Sequence, residues 1–337
     1  RCPRRRGLAG TASRRGPAAP LGRAAPPVNT DMRVVALDEL TSSQPRVVAL
    51  GFFDGVHMGH QRIIATALER ARVEGVPAAL FTFSEPPKRV LRPESAPQSL
   101  TTFEEKLEVL SSSGLDQVLW CPFTREFSHL SPEVFLRDVV RGRMSAVAVV
   151  AGPNYHFGEG ARGDVHMLAE LGPRFGFGVE VVAPLEVGSI LVSSTLIRAR
   201  IADGQVEEAT VLLGRPYRAL ADVVHGDARG RSLGYPTANL EVPPEKLLPA
   251  NGVYAVRVGV DGAWHDGVAN LGVRPTFGEH QRMLEVHLLD VSPDLYGRRV
   301  HIDFIRRLRG ERRFDGAAAL VAQIGRDVEA AREALLP

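Results

Sequence analysis

Two histidines and several glycines are concentrated in the segment Gly51–His60, which reads GFFDGVHMGH. Glycine lets a backbone approach a phosphate group closely, and the start of a helix offers unpaired N–H groups to an anion. His57 and His60 are three residues apart, so at a helix start both rings can donate hydrogen bonds to the same phosphoryl group. A glycine-rich turn with two surface histidines is the alternative, but the segment directly follows an apolar run, which favours a nucleotide site. We therefore expect ATP phosphates to be bound by the two histidines together with Gly51, Phe53, Asp54, Gly55 and Gly59.

The segment 192–198, VSSTLIR, is a second candidate for phosphate binding. Ser194 and Thr195 fall at the polar start of a predicted helix, and Arg198 lies one turn further on, on the same side as Ser194. Hydroxyl groups, helix N–H groups and a guanidinium suit the β- and γ-phosphates of ATP. An ordinary helix cap with a surface arginine is the alternative. The histidine segment in the same half of the chain favours the phosphate site.

A second glycine-rich segment, HGDARGRSLGYPTANL, spans residues 225–240. Gly230 and Gly234 belong to a loop whose backbone N–H groups could wrap phosphates. Thr237 and Asn239 are two residues apart, so they share a face if the chain is extended. A hydroxyl and an amide oxygen are hard ligands that suit Mg²⁺ held mainly by phosphates. The alternative is a loop and turn that bind nothing.

The carboxylate of Glu285 stands in the alternating run MLEVHLLD, residues 283–290. A period of two places Glu285 on one face of a strand with Met283 and His287. Such a carboxylate, lining the mouth of a barrel, could accept the proton of an attacking hydroxyl group. An exposed strand carboxylate is the commoner outcome for a lone glutamate, so Glu285 by itself is a weak candidate.

The first half of the chain alternates short apolar runs with helical segments. Strands are predicted at 46–51, 77–83, 116–121, 146–151 and 179–183. Helices are predicted at 59–74, 103–114 and 131–141. Continuous apolar strands between helices indicate a parallel sheet covered on both faces. We predict a Rossmann-like α/β domain over residues 32–205.

The sequence texture changes after two further predicted helices, at 193–202 and 206–214. Glycine and proline become frequent, and the runs 253–260, 283–290 and 299–305 alternate apolar with polar residues. Alternation indicates antiparallel strands with one buried face. We predict a small antiparallel β-barrel domain over residues 206–337, with a C-terminal helix from 316 to 335.

The first 31 residues are rich in Arg, Pro, Ala and Gly and lack apolar periodicity, which predicts disorder. Seven Arg and one Asp give this tail a formal charge of +6, so residues 32–337 carry −4 although the whole chain carries +2. The basic character therefore belongs to the tail and does not indicate nucleic-acid binding by the body. We expect Met32 to be the native start; a transit peptide is the alternative.

Other features favour a cytoplasmic enzyme that acts on small molecules. Cys2 and Cys121 form neither a disulfide framework nor a metal-ligand pattern, which favours a reducing compartment. No apolar run has the length needed to span a membrane. The arginines between 306 and 313 are interleaved with acidic residues and are predicted to form a solvated, partly ion-paired face. We expect a monomer or transient homo-oligomer without nucleic-acid or membrane partners.

Four segments together resemble the adenylyltransferase module of the bifunctional, prokaryotic-type riboflavin kinase/FAD synthetases. They are GFFDGVHMGH, SSTLIR at 193–198, FTFSEPP at 81–87 and GPNYHFGEGARGD at 152–164. Pro153 and His156 stand where Glu and Arg are common in that family. The resemblance implies transfer of AMP from ATP to FMN, with Asn154 contacting the ligand in the loop on the FMN side.

The second half resembles the riboflavin kinase module of the same family. The matching blocks, in the family's order, are GRSLGYPTANL, NGVYAV, NLGVRPTF, EVHLLD, LYG and FIRRLRGERRF. The resemblance implies a phosphate-binding loop with Gly230 and Gly234, Thr237 and Asn239 at Mg²⁺–ATP, and Glu285 as the base for the ribityl hydroxyl. It places NLGVRPTF near the flavin, and with it Asn270, Arg274 and Thr276.

The predicted function is therefore a sequence of two reactions on one chain. The second domain would phosphorylate riboflavin to FMN, and the first would convert FMN and ATP to FAD and pyrophosphate. One alternative is another adenylyl or cytidylyl transferase with the barrel as an accessory, against which the PTAN and RPTF blocks argue. The other is a flavin-binding regulator without turnover, against which the intact His57, His60, Asn239 and Glu285 argue.

Overall fold

The computed structural model describes residues 32–225, 234–273, 282–291 and 295–336. These residues form a parallel α/β domain, a closed antiparallel barrel and a C-terminal helix, which confirms the predicted fold class. Three predicted site residues, Gly230, Arg274 and Thr276, lie outside the described residues.

A six-stranded parallel sheet forms the first domain. Its strands are β1 (Arg33–Ala36), β2 (Arg46–Leu50), β3 (Ala78–Phe83), β4 (Gln117–Cys121), β5 (Ala146–Ala151) and β6 (Gly178–Val181). They lie in the order β1-β4-β3-β2-β5-β6, and every neighbouring pair is parallel. The apolar runs predict five of these strands. Strand β1 has only four residues, which is too short for periodicity to distinguish it from a loop.

Helices cover both faces of this sheet. They are α1 (Met58–Glu74), α2 (Pro87–Leu91), α3 (Phe103–Ser111), α4 (Arg125–Ser128), α5 (Pro132–Val134), continued by a π-helix over Phe135–Arg143, and α6 (Val165–Arg174). Alternate residues of β2 join different apolar clusters, Val48 and Leu50 on one face and Val47 and Ala49 on the other. Burial on both faces is the reason why the strand sequences are continuously apolar.

The order of the parallel sheet reverses at β2. Strands β3 and β4 follow on one side of β2, whereas β5 and β6 lie on the other. In open α/β sheets, ligands bind outside the carboxyl ends of the strands at such a switch point. The loop after β2 begins at Gly51 and the loop after β5 begins at Gly152. The fold therefore places the histidine segment and the Asn154 segment at one crevice.

Two helices connect the sheet to the barrel. They are α7 (Ser194–Ala202) and α8 (Val206–Leu213), and they follow a hairpin of β7 (Glu186–Val187) and β8 (Ile190–Leu191). Buried residues of both helices, such as Ile201 and Leu212, belong to the apolar cluster that fills the barrel. Both helices thus pack against the barrel, and the predicted division between residues 205 and 206 falls in the turn that joins them.

Six antiparallel strands close into the barrel. They are β9 (Tyr217–Val224), β10 (Ala238–Glu241), β11 (Gly252–Val260), β12 (Ala263–Val273), β13 (Arg282–Leu288) and β14 (Arg299–Arg309), in the order β10-β13-β12-β11-β14-β9. Inward residues of the strands, such as Leu284 and Val286, form the core, and α9 (Ala317–Leu335) covers part of the outer wall. Alternation predicts β11, β13 and β14. It does not predict β12, where two glycines and several polar residues interrupt the pattern.

Helix α3 lies between the two domains. It begins with a capping box in which Thr102 and Glu105 satisfy each other's backbone N–H groups. Glu104 accepts a hydrogen bond from Arg299 of β14 at 2.9 Å. Glu105 also forms an ion pair with Lys246 of the barrel at 2.7 Å. The acidic start of α3 is therefore both a helix-stabilising feature and a contact with the second domain.

Candidate active sites

His57 is the N-cap residue of helix α1. Its Nδ1 atom accepts a hydrogen bond from the backbone N–H of His60 at 3.3 Å. Because Nδ1 is the acceptor, the neutral ring carries its proton on Nε2, which remains able to donate. Only 6% of His57 is exposed. The fold therefore fixes both the position and the tautomer of this ring.

The rings of His57 and His60 are stacked, with centroids 3.6 Å apart and planes inclined by 15°. Burial lowers the pKa of His57 to about 4, although the nearby Asp54 opposes the shift. Burial also lowers the pKa of His60 well below its ordinary value, and His57 adds to this effect. Both rings are therefore neutral at pH 7, and each offers a hydrogen-bond donor without a positive charge.

The backbone before His57 adopts left-handed conformations. Phe53 has a φ of 56° and Val56 a φ of 40°, a region that non-glycine residues rarely occupy. Gly55 has a φ of 80°, and a Cβ atom at this position would lie 2.8 Å from the Leu100 side chain. Backbone strain of this kind persists only where surrounding contacts hold it, and it concentrates at functional sites.

Arg215 supplies part of that support, and no sequence motif identifies it. Its Nη2 atom donates to the carbonyl of Gly55 at 2.7 Å, and Nη1 donates to that of Val56 at 3.1 Å. Gln61 Nε2 also donates to the Val56 carbonyl, at 3.0 Å. Burial lowers the pKa of Arg215 to about 10, so the guanidinium is charged at pH 7. Arg215 follows α8, and only the tertiary fold brings it to the histidine loop.

Asp54 joins the two segments that are predicted to bind phosphate. Its carboxylate, 3% exposed, accepts the backbone N–H groups of Leu100 at 3.0 Å and Thr101 at 3.1 Å. Arg198 Nη2 donates to the same carboxylate at 2.5 Å. Ser194 Oγ donates to the backbone oxygen of Asp54 at 3.0 Å. The fold therefore brings Ser194 and Arg198 onto the histidine loop, as the sequence interpretation requires.

The other predicted phosphate-binding residues lie in this loop or at the start of α7. Phe53 is 1% exposed and packs edge-on against the His60 ring, with centroids 5.2 Å apart. Gly59 lies against the His57 ring, where a Cβ atom would be 3.2 Å from it. Thr195 is exposed in the first turn of α7. Phe53 is thus a buried support for the His60 ring. Direct contact of these residues with ATP stays a prediction.

The ammonium group of Lys106 lies beneath the beginning of the same loop. Lys106 is 1% exposed. Its Nζ atom donates to the carbonyl of Phe52 at 2.8 Å, to Thr82 Oγ1 at 3.1 Å and to the carbonyl of Phe83 at 3.3 Å. Burial lowers the pKa of Lys106 to about 7, with Asp54 opposing the shift. When protonated, Lys106 ties together the carboxyl ends of β2 and β3.

A cavity of about 600 Å³ opens beside Gly51 at the carboxyl edge of the sheet. Eight aromatic side chains contribute to its wall: Phe52, Phe81, Phe83, Phe123, Phe127, Phe135, Tyr155 and Phe157. Asn154, predicted on the FMN side, is exposed at this cavity. Such a pocket suits a planar ring system that has polar groups along one edge. The sequence interpretation identifies Asn154 but not the aromatic wall, because its members come from separate segments.

Three predicted residues of the second site form one row across the barrel wall. Asn239 of β10 pairs with Glu285 of β13, and Glu285 pairs with Asn270 of β12. Residues directly opposite on antiparallel strands have side chains on the same face, with Cβ atoms about 4.5–5.5 Å apart. The strand register therefore gathers two amides around one carboxylate.

This row lies on the outer face of the barrel, and the expectation that Glu285 lines the barrel mouth is wrong. Leu284 and Val286 belong to the interior cluster, so the alternation of β13 turns Glu285 outward. Asn239 is only 5% exposed, whereas Asn270 is exposed. The row is consequently covered at one end and open to solvent at the other.

The segment before β10 approaches the same row. Thr237 is half-buried and lies two residues before Asn239. His287 shares the outer face with Glu285, and its Nδ1 atom is 2.8 Å from the carbonyl oxygen of Pro236. Gly234 lies in an exposed turn with a φ of 84°. This arrangement brings the end of the glycine-rich segment to the Glu285 row.

Two family models match the two halves of the chain, FAD synthetase over residues 39–196 and riboflavin kinase over residues 213–335. The bifunctional riboflavin kinase/FMN adenylyltransferase of Escherichia coli K12 is 38% identical over 288 residues, which cover 85% of this chain and 92% of that protein. The Pseudomonas fluorescens protein of the same name is 39% identical over 292 residues, 86% of this chain and 93% of the relative. The chain belongs to the bifunctional riboflavin kinase/FMN adenylyltransferase family.

A crystal structure from Streptococcus pneumoniae, described as a macrolide-efflux protein, shares the fold of this family member. Its TM-score is 0.82 and its identity 33%, covering 89% of this chain and 98% of that chain. The description names an activity that neither family model nor the curated relatives carry, so this likeness supports the architecture. Within the described ranges, no helix has the length and apolar character needed to cross a membrane.

The described residues of the barrel offer few ligands of their own for a metal ion. In the part of the chain that the structure describes, no three His, Cys, Asp or Glu side chains are grouped as a metal site. Asn239 and Thr237 instead supply an amide and a hydroxyl oxygen beside the Glu285 row. This donor set fits Mg²⁺ bound mainly through nucleotide phosphates.

The arginines of β14 are engaged with neighbouring elements. Arg309 forms an ion pair with Asp327 of α9 at 2.8 Å. Arg306 lies 3.9 Å from Glu207 of α8, and Arg307 donates to the carbonyl of Asn251. These contacts agree with the predicted ion-paired face, but the acidic partners come from other elements and not from adjacent positions in the sequence.

Proposed function

We propose that the barrel domain transfers the γ-phosphoryl group of ATP to riboflavin, and that the sheet domain transfers AMP from a second ATP to the resulting FMN. The observation that carries this proposal is the presence of two separate residue sets on one chain. One is the neutral histidine pair with Arg198, and the other is the Asn239–Glu285–Asn270 row. The two family matches and the relatives' names support the same pair of reactions.

In the adenylyl transfer, a phosphate oxygen of FMN attacks the α-phosphorus of ATP, and pyrophosphate leaves. The FMN phosphate is already a nucleophile, so the reaction needs no covalent enzyme intermediate. The Nε2–H of His57 and the ring of His60 donate hydrogen bonds to the α-phosphoryl oxygens and stabilise the transition state. Because the pKa of His57 is about 4, this donor does not change its protonation state across neutral pH.

Arg198 and two helix starts complete the phosphate site. Asp54 holds the Arg198 guanidinium, whose side chain is 24% exposed and can therefore meet phosphate oxygens on its open side. The N-termini of α1 and α7 both adjoin this loop and offer unpaired N–H groups to the triphosphate. Catalysis in this domain consists of positioning and charge stabilisation.

The aromatic cavity is the proposed site of the isoalloxazine ring of FMN. Its wall supplies ring faces for stacking, and Asn154 supplies a hydrogen-bonding group at the rim. Gly51 lines the cavity and also begins the histidine loop. A flavin in this cavity would therefore have its phosphate directed towards the α-phosphate of ATP.

In the phosphorylation of riboflavin, the ribityl hydroxyl oxygen attacks the γ-phosphorus of ATP, and ADP leaves. Glu285 accepts the hydroxyl proton as the new O–P bond forms. Thr237 and Asn239 would hold Mg²⁺, which when bound offsets the charge of the phosphates. Asn270, at the open end of the row, would contact the flavin substrate.

Incubation of the protein with riboflavin, ATP and Mg²⁺, followed by chromatography of the flavins, tests both reactions. FMN should appear first, and FAD and pyrophosphate should follow. A parallel sample given FMN in place of riboflavin isolates the second reaction, and chelation of Mg²⁺ with EDTA should stop the first. FMN without FAD would remove the sheet domain from the proposal, and no FMN from riboflavin would remove the barrel.

A further inference from the structure

We propose that Lys246, a residue of the barrel domain, positions the adenylyl-transfer loop of the sheet domain. The inference rests on the proposed assignment of adenylyl transfer to the segment 51–60. Lys246 lies between β10 and β11, on the barrel side of the contact with α3. It is therefore a positioning residue for a reaction whose substrates it does not touch.

The ammonium group of Lys246 is buried and fully engaged. Its side chain is inaccessible to solvent, and its Nζ atom donates to Glu105 Oε2 at 2.7 Å, to the carbonyl of Leu100 at 2.6 Å and to the carbonyl of Arg218 at 2.5 Å. An ammonium group has three N–H donors, so this set uses all of them. Two acceptors belong to the sheet domain and one to β9, which makes Lys246 a junction between the domains.

The backbone on either side of Lys246 reinforces this contact. Ser99 N–H donates to the carbonyl of Glu245 at 2.8 Å, and Leu247 N–H donates to the carbonyl of Ser99 at 2.9 Å. These bonds form a short parallel bridge between the barrel and the segment that contains Leu100. The position of Leu100 is consequently set by the barrel as well as by its own domain.

Leu100 and its neighbour Thr101 in turn hold the adenylyl-transfer loop. Their backbone N–H groups bind the carboxylate of Asp54, and Thr101 Oγ1 accepts the N–H of Gly55 at 3.1 Å. Asp54 then orients Arg198. A continuous path of hydrogen bonds thus leads from Lys246 through Leu100 to Asp54, and from there to the proposed phosphate site.

The charge of Lys246 contributes to this path because Lys246 and its partner Glu105 are both buried away from water. Burial lowers the pKa of Lys246, and the ion pair with Glu105 opposes the shift. Glu105 also accepts the backbone N–H of Leu220 in β9 at 2.7 Å, so the pair is shared between both domains. Removing one partner of a buried pair leaves the other uncompensated, and the contacts around it rearrange. Displacement of a catalytic group by about 1 Å can lower a rate about a hundredfold.

The test compares both activities of the full-length Lys246→Met variant. Methionine keeps much of the apolar stem and removes the three donors. We expect kcat for FMN adenylylation to fall at least about tenfold, whereas riboflavin phosphorylation by the same chain stays within about twofold. The KM for FMN should also stay within about twofold, because the hydrogen-bond partners of Lys246 are Leu100, Glu105 and Arg218, which do not line the aromatic cavity.

The matched control is Arg299→Met, which removes a different ion pair across the same contact. Arg299 and Glu104 are 47% and 51% exposed, and exposed pairs contribute little. This variant should keep both activities. Loss of adenylylation in the control would show that any disturbance of the contact is sufficient and would overturn the specific role of Lys246.

Two further outcomes would overturn the proposal. Unchanged adenylylation in Lys246→Met overturns it, and so does an equal loss of both activities, since Lys246 would then only hold the fold. If Lys246→Met does not fold, Glu105→Gln replaces it and must show the same selective loss of adenylylation. A wild-type protein that makes no FAD from FMN would refute the assignment of the loop, which is a different failure from that of Lys246.

Discussion

Replacement of His57 by Asn should make the protein lose less stability in acid than the wild type. Asn is also a good N-cap residue, so the start of α1 keeps an acceptor for the backbone N–H of His60. The substitution removes a buried imidazole whose pKa is lowered to about 4 by burial. A measurement of folding stability therefore reports the protonation of the buried His57 ring, independently of its part in catalysis.

The sign follows from the two pKa values of His57. The unfolded chain has the ordinary histidine pKa of 6.5, and the folded protein has a value of about 4. Between these values the unfolded chain binds the proton first, so the stability that is complete above pH 6.5 is lost as the pH falls towards 4. One pKa unit corresponds to about 1.4 kcal/mol, which gives a loss of about 2 kcal/mol between pH 7 and pH 5.

Urea unfolding of wild type and His57→Asn at pH 7 and pH 5 measures this loss. The difference in unfolding free energy between the two proteins should change by about 2 kcal/mol between the two pH values, in favour of the variant at pH 5. His60 changes the result in the same direction, because removal of His57 also removes one cause of its lowered pKa. The exposed His129 offers the matched control, and His129→Asn should follow the wild type.

A constant difference between wild type and His57→Asn at both pH values would refute the reasoning. It would mean that the His57 ring is protonated as readily in the folded protein as in the unfolded chain. The His57 ring would then gain and lose its proton near neutral pH, and its proposed part as a donor whose protonation state stays constant around pH 7 would be excluded.

Three other substitutions test the remaining parts of the proposal. Glu285→Gln should lower riboflavin phosphorylation by about 10²–10⁴-fold, the usual contribution of a general base, and should leave FMN adenylylation intact. Glu241→Gln, at an exposed position of β10, is the control. If Glu285→Gln still phosphorylates riboflavin at the wild-type rate, Glu285 is not the general base. Phe127→Ala, in the aromatic cavity, should raise the KM for FMN about tenfold through the loss of about 1.4 kcal/mol of ring contact; an unchanged KM would place the flavin elsewhere. Lys106 loses its proton above its pKa of about 7 and can then satisfy only two of its three acceptors. The kcat/KM for adenylylation should therefore decline above pH 7 in the wild type and be lower but flat in Lys106→Met, and equal pH profiles would contradict this role.

The sequence by itself determined the two-domain organisation and most of the chemical groups. Continuous apolar runs predict a buried parallel sheet because both faces of each strand are covered, and alternation predicts the antiparallel wall that carries Glu285. Spacing is a local property, so it also places His57 and His60 together at one helix start. The segments with distinctive composition, GFFDGVHMGH and GYPTANL, were sufficient to propose the chemistry of each half.

Only the tertiary structure decided which distant groups meet and in what electrostatic state. Arg215, Lys106 and the aromatic cavity wall carry no local signal, because their partners are remote in sequence. The row around Glu285 depends on strand register. Burial of the neighbouring Leu284 and Val286 in the barrel interior turns Glu285 to the outer wall and not to the barrel mouth. Burial sets the low pKa of His57, and burial is a property of the packed chain. For the same reason the sequence supplied the residues of the adenylyl-transfer loop, while the fold alone connected that loop to Lys246 in the other domain.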